Sequence, residues 1–318
     1  MIAAVLLAAY ALLNIALSGF VAILWRTRAV APADLPPAVR ARRLLVLRAV
    51  PTVVAAAITL VIVTPAFAIF EPFGLRESMG PVLAMLAATA LVQFALAICM
   101  AIGSLMVTAR IERSWLRHSS ALAVDPPMPA FAIESSSPVV ALVCVWAPKL
   151  LAARSVVDAC SPQEIARIAG HERGHLQSHD NVKRWLMTSL PDLLRWTPIH
   201  HDIVEAWHHA AEDAADDATT GKDPVARAEL AGLLVKVARL VPYPLWQSAI
   251  VSPFVERHGL ERRVRRLIQP DLEPPAPLAI VPMIAIAVIV IAALAALSSP
   301  AALDLIFDAF EGLVALGR

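Results

Sequence analysis

Four long apolar runs dominate the hydrophobic pattern: Met1 to Trp25, Ala49 to Phe70, Pro81 to Ala109 and Leu278 to Leu297. Each has enough residues to cross about 30 Å of hydrocarbon as a helix, and no charged residue interrupts any of them. One such run is compatible with a buried core helix, but four of them predict a polytopic membrane protein. The first lacks a basic leading segment and is too long for a signal peptide. Between the third and fourth runs the pattern breaks up. Residues 110–277 mix short apolar stretches with charge, over a length suited to one small domain.

Inside that domain two kinds of element are predicted. Val139 to Trp146 is a continuous, β-branched apolar stretch that reads as a strand, Pro148 makes a turn, and Leu150 to Val157 returns as a second strand. The prolines before it (Pro126, Pro127, Pro129 and Pro138) read as loop. An extended peptide can add to the edge of such a hairpin through main-chain hydrogen bonds, or the hairpin can simply be buried. Ser161-Pro162-Gln163-Glu164 is a capping box with proline at the first helical position. Ile165, Ile168 and Ala169 continue it as an apolar stripe, so a helix is expected from Ser161 to about His179, ended by Asp180-Asn181 as turn formers.

Chemistry enters in the middle of that helix. His171-Glu172-Arg173-Gly174-His175 is an HExxH sequence, and on a helix residues i and i+4 share a face, so both imidazoles point at one spot. Two neutral histidines so placed can hold Zn²⁺, with Glu172 as general base for water. A catalytic zinc takes three protein ligands and keeps one position open. The third is expected from the alanine-rich, acidic helix His200 to Thr220, where Glu212 and Asp216 are four apart. One of the pair can ligate while the other accepts the second N–H of a ligating histidine. His208 and His209 are the alternatives, and a solvated acidic face is the plain reading of such a helix. His179 extends the histidine face by one turn and is read as a rim residue. Trp185, Met187, Leu190, Leu193, Leu194 and Trp196, between the two helices, suit either a membrane–water interface or packing beneath the site.

Composition supports the membrane reading, with 58% hydrophobic residues and a mean hydropathy of +0.68, well above a soluble domain. Charge sets the expected orientation. Residues 26–48 carry Arg26, Arg28, Arg40, Arg42, Arg43 and Arg48 against Asp34, while Glu71 to Gly80 holds Glu71, Arg76 and Glu77. Positive charge marks the cytoplasmic side, which puts loop 26–48 and domain 110–277 inside, and both termini outside. Residues 299–318 set Leu303, Phe307, Phe310 and Val314 opposite Asp304, Asp308 and Glu311, an amphipathic tail on the outer surface or against the bundle. Net charge is +1 and no Gly-rich phosphate loop is present, so no nucleic-acid partner is expected. Cys99, Cys144 and Cys160 are too scattered for a disulfide framework or a thiolate metal site. The cluster Arg262, Arg263, Arg265, Arg266 reads as a membrane-surface anchor, with Arg263 expected to face the cleft and bind a substrate carbonyl or an oxyanion.

The run Pro148-Lys149-Leu150, Ser161 to Ile165, His171 to His175, Asp180-Asn181, Trp196-Thr197-Pro198, Glu212-Asp213-Ala214-Ala215-Asp216 and Leu260 to Leu267 resembles the BlaR/MecR-type membrane zinc metallopeptidases. These are gluzincins related to the HtpX/Ste-type proteases, and the resemblance covers residues from about 138 to 268. It implies His171, His175 and Glu212 as zinc ligands, Glu172 as general base and Asp216 as the partner of a ligand. Ala215 stands where that family usually has cysteine, and His179 where a basic residue is commoner. The extracellular sensor of the family's beta-lactam receptors has no counterpart in these residues. The expectation is therefore a mainly α, multi-pass protein of a bacterial inner membrane. Four spans (three within 1–109, the fourth at 278–298) would carry a cytoplasmic gluzincin-like zinc peptidase domain, helices plus a small β-hairpin, between spans three and four. Its partners would be a protein or peptide substrate and membrane lipid. An intramembrane protease is disfavoured by Gln163, Glu164, Arg167, Arg173, Gln177 and His179 around the motif. A signal transducer or scaffold with a vestigial site is the alternative from another class, and the intact Glu172 speaks against it.

Overall fold

Three helices of the computed structural model are long and apolar enough to cross a membrane. Helix α1 spans Ile2–Thr27. Helix α2 spans Pro37–Ile58 and continues through a π-helical segment, Thr59–Val63, into α3, Thr64–Phe70; helix α4 spans Pro81–Leu116. The structure describes residues 2–27, 35–70, 80–125, 127–135, 138–240, 251–253 and 257–269, together with 304, 305, 308 and 312. The fourth apolar run lies outside the described residues, as does most of the tail. The π segment runs up to Pro65, which has no N–H to give to the ladder, and both the backbone N–H and the Oγ1 of Thr64 donate to the Thr59 carbonyl, the latter at 2.9 Å.

The second helix starts well before its apolar run. Pro37 to Arg48, half of what reads as a basic loop, is helix. Its Ala41, Leu44 and Leu47 recur at helical spacing and are buried, while arginines occupy positions between them. That buried stripe packs against Met187, Leu194, Ile203, Trp207, Ala210 and Ala211 from later in the chain.

After α4 the chain forms a five-stranded sheet, with later helices packed on one face and the end of α4 against the other. Strands β1 (Ser119–Ala121), β2 (Ala130–Ile133), β3 (Val140–Val143), β4 (Lys149–Ala153) and β5 (Val251–Pro253) lie in the order β1-β2-β4-β3-β5. The β2/β4 pair is parallel and the others are antiparallel. The expected hairpin is there as β3–β4, with Val143 opposite Lys149. It is part of a larger sheet, however, and β4 ends at Ala153, where helix α5 (Arg154–Ala159) takes over. Strand β2 sits in the stretch read as proline-rich loop. The outer edge of β3, which looked available to an extended peptide, is paired with β5. Alternation sorts the side chains by face. Val140, Leu150 and Ala152 join Ile168, Leu230, Leu234 and Leu267 in the main core, while Ala141, Val143 and Leu151 pack with Trp115 and Leu116 at the end of α4.

The remaining helices are α6 (Pro162–Ser178), α7 (Asp180–Ser189), α8 (Pro198–Thr220), α9 (Pro224–Leu240) and α10 (Arg257–Ile268), with a 3₁₀ turn at Leu193–Trp196. Helix α6 begins with the expected capping box: Glu164 N–H donates to Ser161 Oγ at 3.2 Å and Ser161 N–H to Glu164 Oε2 at 2.7 Å. It ends at Ser178 because His179 adopts a left-handed conformation, φ 55°. Asp180-Asn181 therefore does not form the turn. It opens the next helix, where an acidic residue suits the N-terminal dipole.

A buried polar knot ties the apolar helices to this domain. Arg48 of α2 forms an ion pair with Asp192, both side chains fully buried, and donates from Nε to His200 Nδ1 at 2.9 Å. Thr52 donates to the same carboxylate at 3.1 Å, and Asn14 Oδ1 of α1 accepts the Leu193 N–H at 3.2 Å. Breaking a buried ion pair by removing one partner leaves an uncompensated charge and costs roughly 3–5 kcal/mol. Arg48→Met is therefore expected to destabilise the protein on that scale in detergent thermal unfolding, and Arg48→Met/Asp192→Leu to recover most of the loss. A double mutant no better than Arg48→Met would contradict this account.

Candidate metal centre

The centre forms where α6 crosses α8, and a glycine sets how closely they approach. A Cβ placed on Gly174 would lie 3.2 Å from Ala215 Cα and 3.3 Å from Ala215 Cβ, so glycine on α6 and a small residue on α8 allow near-backbone contact. Ala215 thus has a packing role that its sequence position does not reveal. On either side of this contact stand His171 and His175 of α6, and Glu212 and Asp216 of α8, all buried.

The two imidazoles and Glu212 converge as the HExxH spacing predicts. His171 Nε2 and His175 Nε2 are 3.1 Å apart. His171 Nε2 lies 3.4 Å from Glu212 Oε2, and His175 Nε2 lies 3.4 Å from Glu212 Oε1. Donor atoms held at 2.0–2.1 Å by a tetrahedral Zn²⁺ are about 3.3 Å apart, so this trio could hold such an ion. The other ring nitrogens are taken up: His171 Nδ1 faces Asp216 Oδ1 at 3.0 Å and His175 Nδ1 faces Asp180 Oδ2 at 2.8 Å. With Nδ1 carrying the proton toward a carboxylate, both Nε2 lone pairs point at the shared centre. Two lone pairs this close repel unless a cation sits between them.

Electrostatics agree with that requirement. Burial alone would lower both histidine pKa values, but the surrounding carboxylates outweigh it. His171 is raised by Asp216 and Glu212, and His175 is pushed up to about 10, with Glu212 and Asp180 foremost. Glu212 is held well below the usual carboxylate range: burial opposes ionisation, but Arg263 and His175 overcome it. Asp216 is likewise held down, to about 2, by Arg263 and His171 against its burial. Glu172 goes the other way. It is fully buried, neither carboxylate oxygen has a hydrogen-bond partner among the described residues, and burial raises its pKa. A carboxylate desolvated beside a cation-seeking trio, with no hydrogen-bond partner of its own, fits a site made for a metal ion and water.

Arg263 does not face a cleft. It is buried, and its guanidinium grips the acidic pair: Nε and Nη2 reach Asp216 at 2.9 and 2.6 Å, and Nη1 reaches Glu212 Oε2 at 2.8 Å. It orients the carboxylates instead of meeting substrate. Its neighbours correct the membrane-anchor reading as well. Arg262 pairs with Asp213 at 2.6 Å and Arg266 with Asp217 at 2.5 Å, so equal four-residue spacings on α10 and α8 interlock. Only Arg265 of the cluster stays at the surface, paired with Glu261 of its own helix. The alternative ligands lie elsewhere. His208 Nδ1 is 3.3 Å from Arg184 Nη2, and burial with that arginine lowers its pKa to about 3; His209 packs near Gly259.

Two residues of the site were given no role in the sequence, where Asp180-Asn181 entered only as turn formers and as part of the resemblance. Asp180 serves as the partner of His175, and Asn181 clamps β3 by donating from Nδ2 to the carbonyls of Leu142 at 3.1 Å and Cys144 at 2.8 Å. They follow directly on the left-handed turn at His179 that ends α6. Removing a carboxylate that orients a ligating histidine typically costs 10–100-fold in metal affinity. Asp180→Ala is expected to lose about that much in a chelator competition, and Asp180→Asn less; unchanged affinity in Asp180→Ala would remove it from the site. No known protein family and no curated protein matches this chain.

Proposed function

We infer that this protein is a zinc-dependent endopeptidase embedded in a bacterial inner membrane, cutting proteins at the cytoplasmic face. The observation that carries the reading is Glu172: buried, without a hydrogen-bond partner among the described residues, and one residue from His171 in a trio whose spacing suits a tetrahedral ion. A structural zinc site has no use for an unsatisfied carboxylate at its side, whereas a hydrolytic one needs a base there. The resemblance of residues 138–268 to the BlaR/MecR-type peptidases points the same way.

Zinc bound by His171, His175 and Glu212 would polarise a scissile carbonyl and bring the pKa of a water toward neutrality. This chain's own residues do the remaining work. Asp216 and Asp180 hold the two imidazoles in the tautomer that presents Nε2. Arg263 keeps Glu212 ionised and aimed. Glu172 takes the proton of the attacking water and hands it to the leaving amine, a task for which its raised pKa suits it. The physiological role proposed is regulatory proteolysis of a repressor or quality control of membrane proteins.

The purified full-length protein is expected to carry a single zinc per chain, lost in His171→Ala/His175→Ala and in Glu212→Ala. Glu172→Gln should retain the metal and lose about 10²–10⁴-fold in cleavage rate. Full zinc in the double histidine mutant would refute the metal assignment, and cleavage of a protein substrate undiminished in Glu172→Gln would refute the peptidase. Orientation is tested by cysteine accessibility. Labels are expected to reach Ser178→Cys from the cytoplasm and Gly80→Cys from outside, and periplasmic labelling of Ser178→Cys would overturn the cytoplasmic placement.

A further inference from the structure

Four polar side chains of the apolar helices serve one short stretch of chain between α7 and α8. In α1, Tyr10 donates to the Pro191 carbonyl, Asn14 Nδ2 lies 3.4 Å from the same oxygen, and Asn14 Oδ1 accepts the Leu193 N–H at 3.2 Å. In α2, Arg48 and Thr52 hold the Asp192 carboxylate. The level of this stretch can be read from the helices. The rings of Tyr10 and of Phe94 in α4 meet with centroids 4.8 Å apart. Each stands sixteen residues before the first charged residue of its helix, Arg26 in α1 and Arg110 in α4, which is about 24 Å of helix.

The apolar run of α4, Pro81 to Ala109, is about 43 Å long, some 13 Å more than a hydrocarbon core of about 30 Å. With all of that excess placed on the side of Arg110, the Tyr10 level still lies about 11 Å inside the hydrocarbon. A long helical side chain leans toward the helix N-terminus, so the Pro191 carbonyl that Tyr10 meets is no shallower. We propose that residues 185–199 form a re-entrant segment, which enters the hydrocarbon beside α1, α2 and α4, turns at Pro191 and returns without crossing, and that its exposed apolar side chains Leu186 and Trp196 meet lipid acyl chains. This rests on the reading of those three helices as membrane spans.

Irregular backbone at membrane depth is tolerated only where protein satisfies its polar groups. Tyr10 and Asn14 do this for Pro191 and Leu193, and both side chains are buried. Charge at that depth has to be paired or given a backbone partner. Asp192 has Arg48, and Arg195 donates to the Thr188 carbonyl.

Continuity with the helix bundle names lipid as what covers the segment. Trp196 is 67% exposed, and Leu186 is exposed on α7. Trp185 beside it donates from Nε1 to the Ala101 carbonyl of α4 at 3.1 Å, and its ring meets the exposed Trp146 edge-on with centroids 5.7 Å apart. Ala101 is about 30 Å of helix from Pro81, where a span begun at Pro81 leaves the hydrocarbon and where tryptophans gather at the interface. Around it Met100, Ile102 and Met106 are exposed, the apolar face that a span turns to lipid. Asp180, the partner of His175, opens α7 and lies at most about 20 Å from Pro191 along the chain. The metal centre is thereby held about 10 Å or less from the edge of the hydrocarbon, which on the peptidase reading favours bonds just outside the membrane in membrane proteins.

The test places the photo-crosslinking amino acid p-benzoylphenylalanine in the full-length protein at Leu186, Trp196, Leu91 or Ser178, one position at a time. Each protein is reconstituted in phosphatidylethanolamine–phosphatidylglycerol vesicles, irradiated and weighed by mass spectrometry. Leu91, exposed on α4, is the lipid reference, and Ser178, exposed at the end of α6, is the aqueous one. Phospholipid adducts at Leu186 and Trp196 are expected within about 3-fold of Leu91 and roughly 10-fold or more above Ser178, since a side chain at this depth meets acyl chains. Yields at both positions no higher than at Ser178, with Leu91 labelled, overturn the segment and leave the spans standing. No adduct at Leu91 overturns the spans and the proposal with them. Crosslinks to a second copy at Leu186 and Trp196 in place of lipid overturn lipid as the occupant. A mild variant gives a second readout: Trp196→Phe is expected to lower the share of tryptophan fluorescence quenched by brominated acyl chains, and an unchanged share counts against the proposal. None of these outcomes depends on zinc or on cleavage.

Discussion

Gly174 lets α6 lie so close to α8 that a Cβ there would meet Ala215 at 3.2 Å, tighter than ordinary van der Waals contact. From that contact the rest of the centre follows. With only hydrogen between the backbones at this point, two imidazoles on one helix and two carboxylates on the other come within hydrogen-bond or metal-ligand range. A Cβ there must displace Ala215, whose own backbone it meets at 3.2 Å, and backbone does not yield as a flexible side chain does. The glycine that weakens the helix by its propensity is thus the residue that permits the chemistry.

Such close packing has an electrostatic consequence. Glu172, Glu212, Asp216 and Asp180 are all buried around the two histidines, and buried carboxylates are tolerated only when paired. The fold answers with Arg263, which takes Asp216 in two hydrogen bonds and forms an ion pair with Glu212. Arg262 and Arg266 pair with Asp213 and Asp217, each the next residue along α8 from Glu212 and Asp216. Helix α10 is thereby a cationic splint along the acidic helix. What it leaves unneutralised is the space among the two Nε2 atoms and Glu212, and this residual negative field is what makes that space attractive to a cation.

The splint acts on one side of α8 and the apolar helices on another. The α2 stripe Ala41, Leu44 and Leu47 packs against Trp207, Ala210 and Ala211, the turn of α8 leading directly into Glu212. The Arg48–Asp192 pair fixes the same helices through buried charge, which is sensitive to geometry where apolar contact is forgiving. The helix that carries Glu212 is therefore held by the element that reads as a membrane span. The strand end beside His175 is likewise fastened through Trp185 to α4, so the centre and the bundle form one mechanical unit.

Local regularities were readable along the chain because each depends on residues a few positions apart. The apolar runs, the Ser161–Glu164 capping box, the shared face of His171 and His175, and the pairing of Glu212 with Asp216 all follow from helical periodicity. What escaped were relations between distant segments. Strand β2 has four residues next to proline and becomes a strand by pairing with β1 and β4; alone it carries no signal. The arginines of α10 read as a membrane anchor because a basic helix face looks the same in sequence whether it meets lipid or an acidic helix. Arg48 reads as one more positive charge of a loop, though it is fully buried on Asp192. Asp180 reads as a turn former because the imidazole it orients is brought to it only by the left-handed bend at His179. The sequence by itself determined the apolar helices, the capped helix that carries His171 and His175, and the faces that bear candidate ligands, since periodicity encodes all three. Tertiary structure alone decided which charges neutralise which, because a buried ion pair is chosen by the packing that removes water from around it.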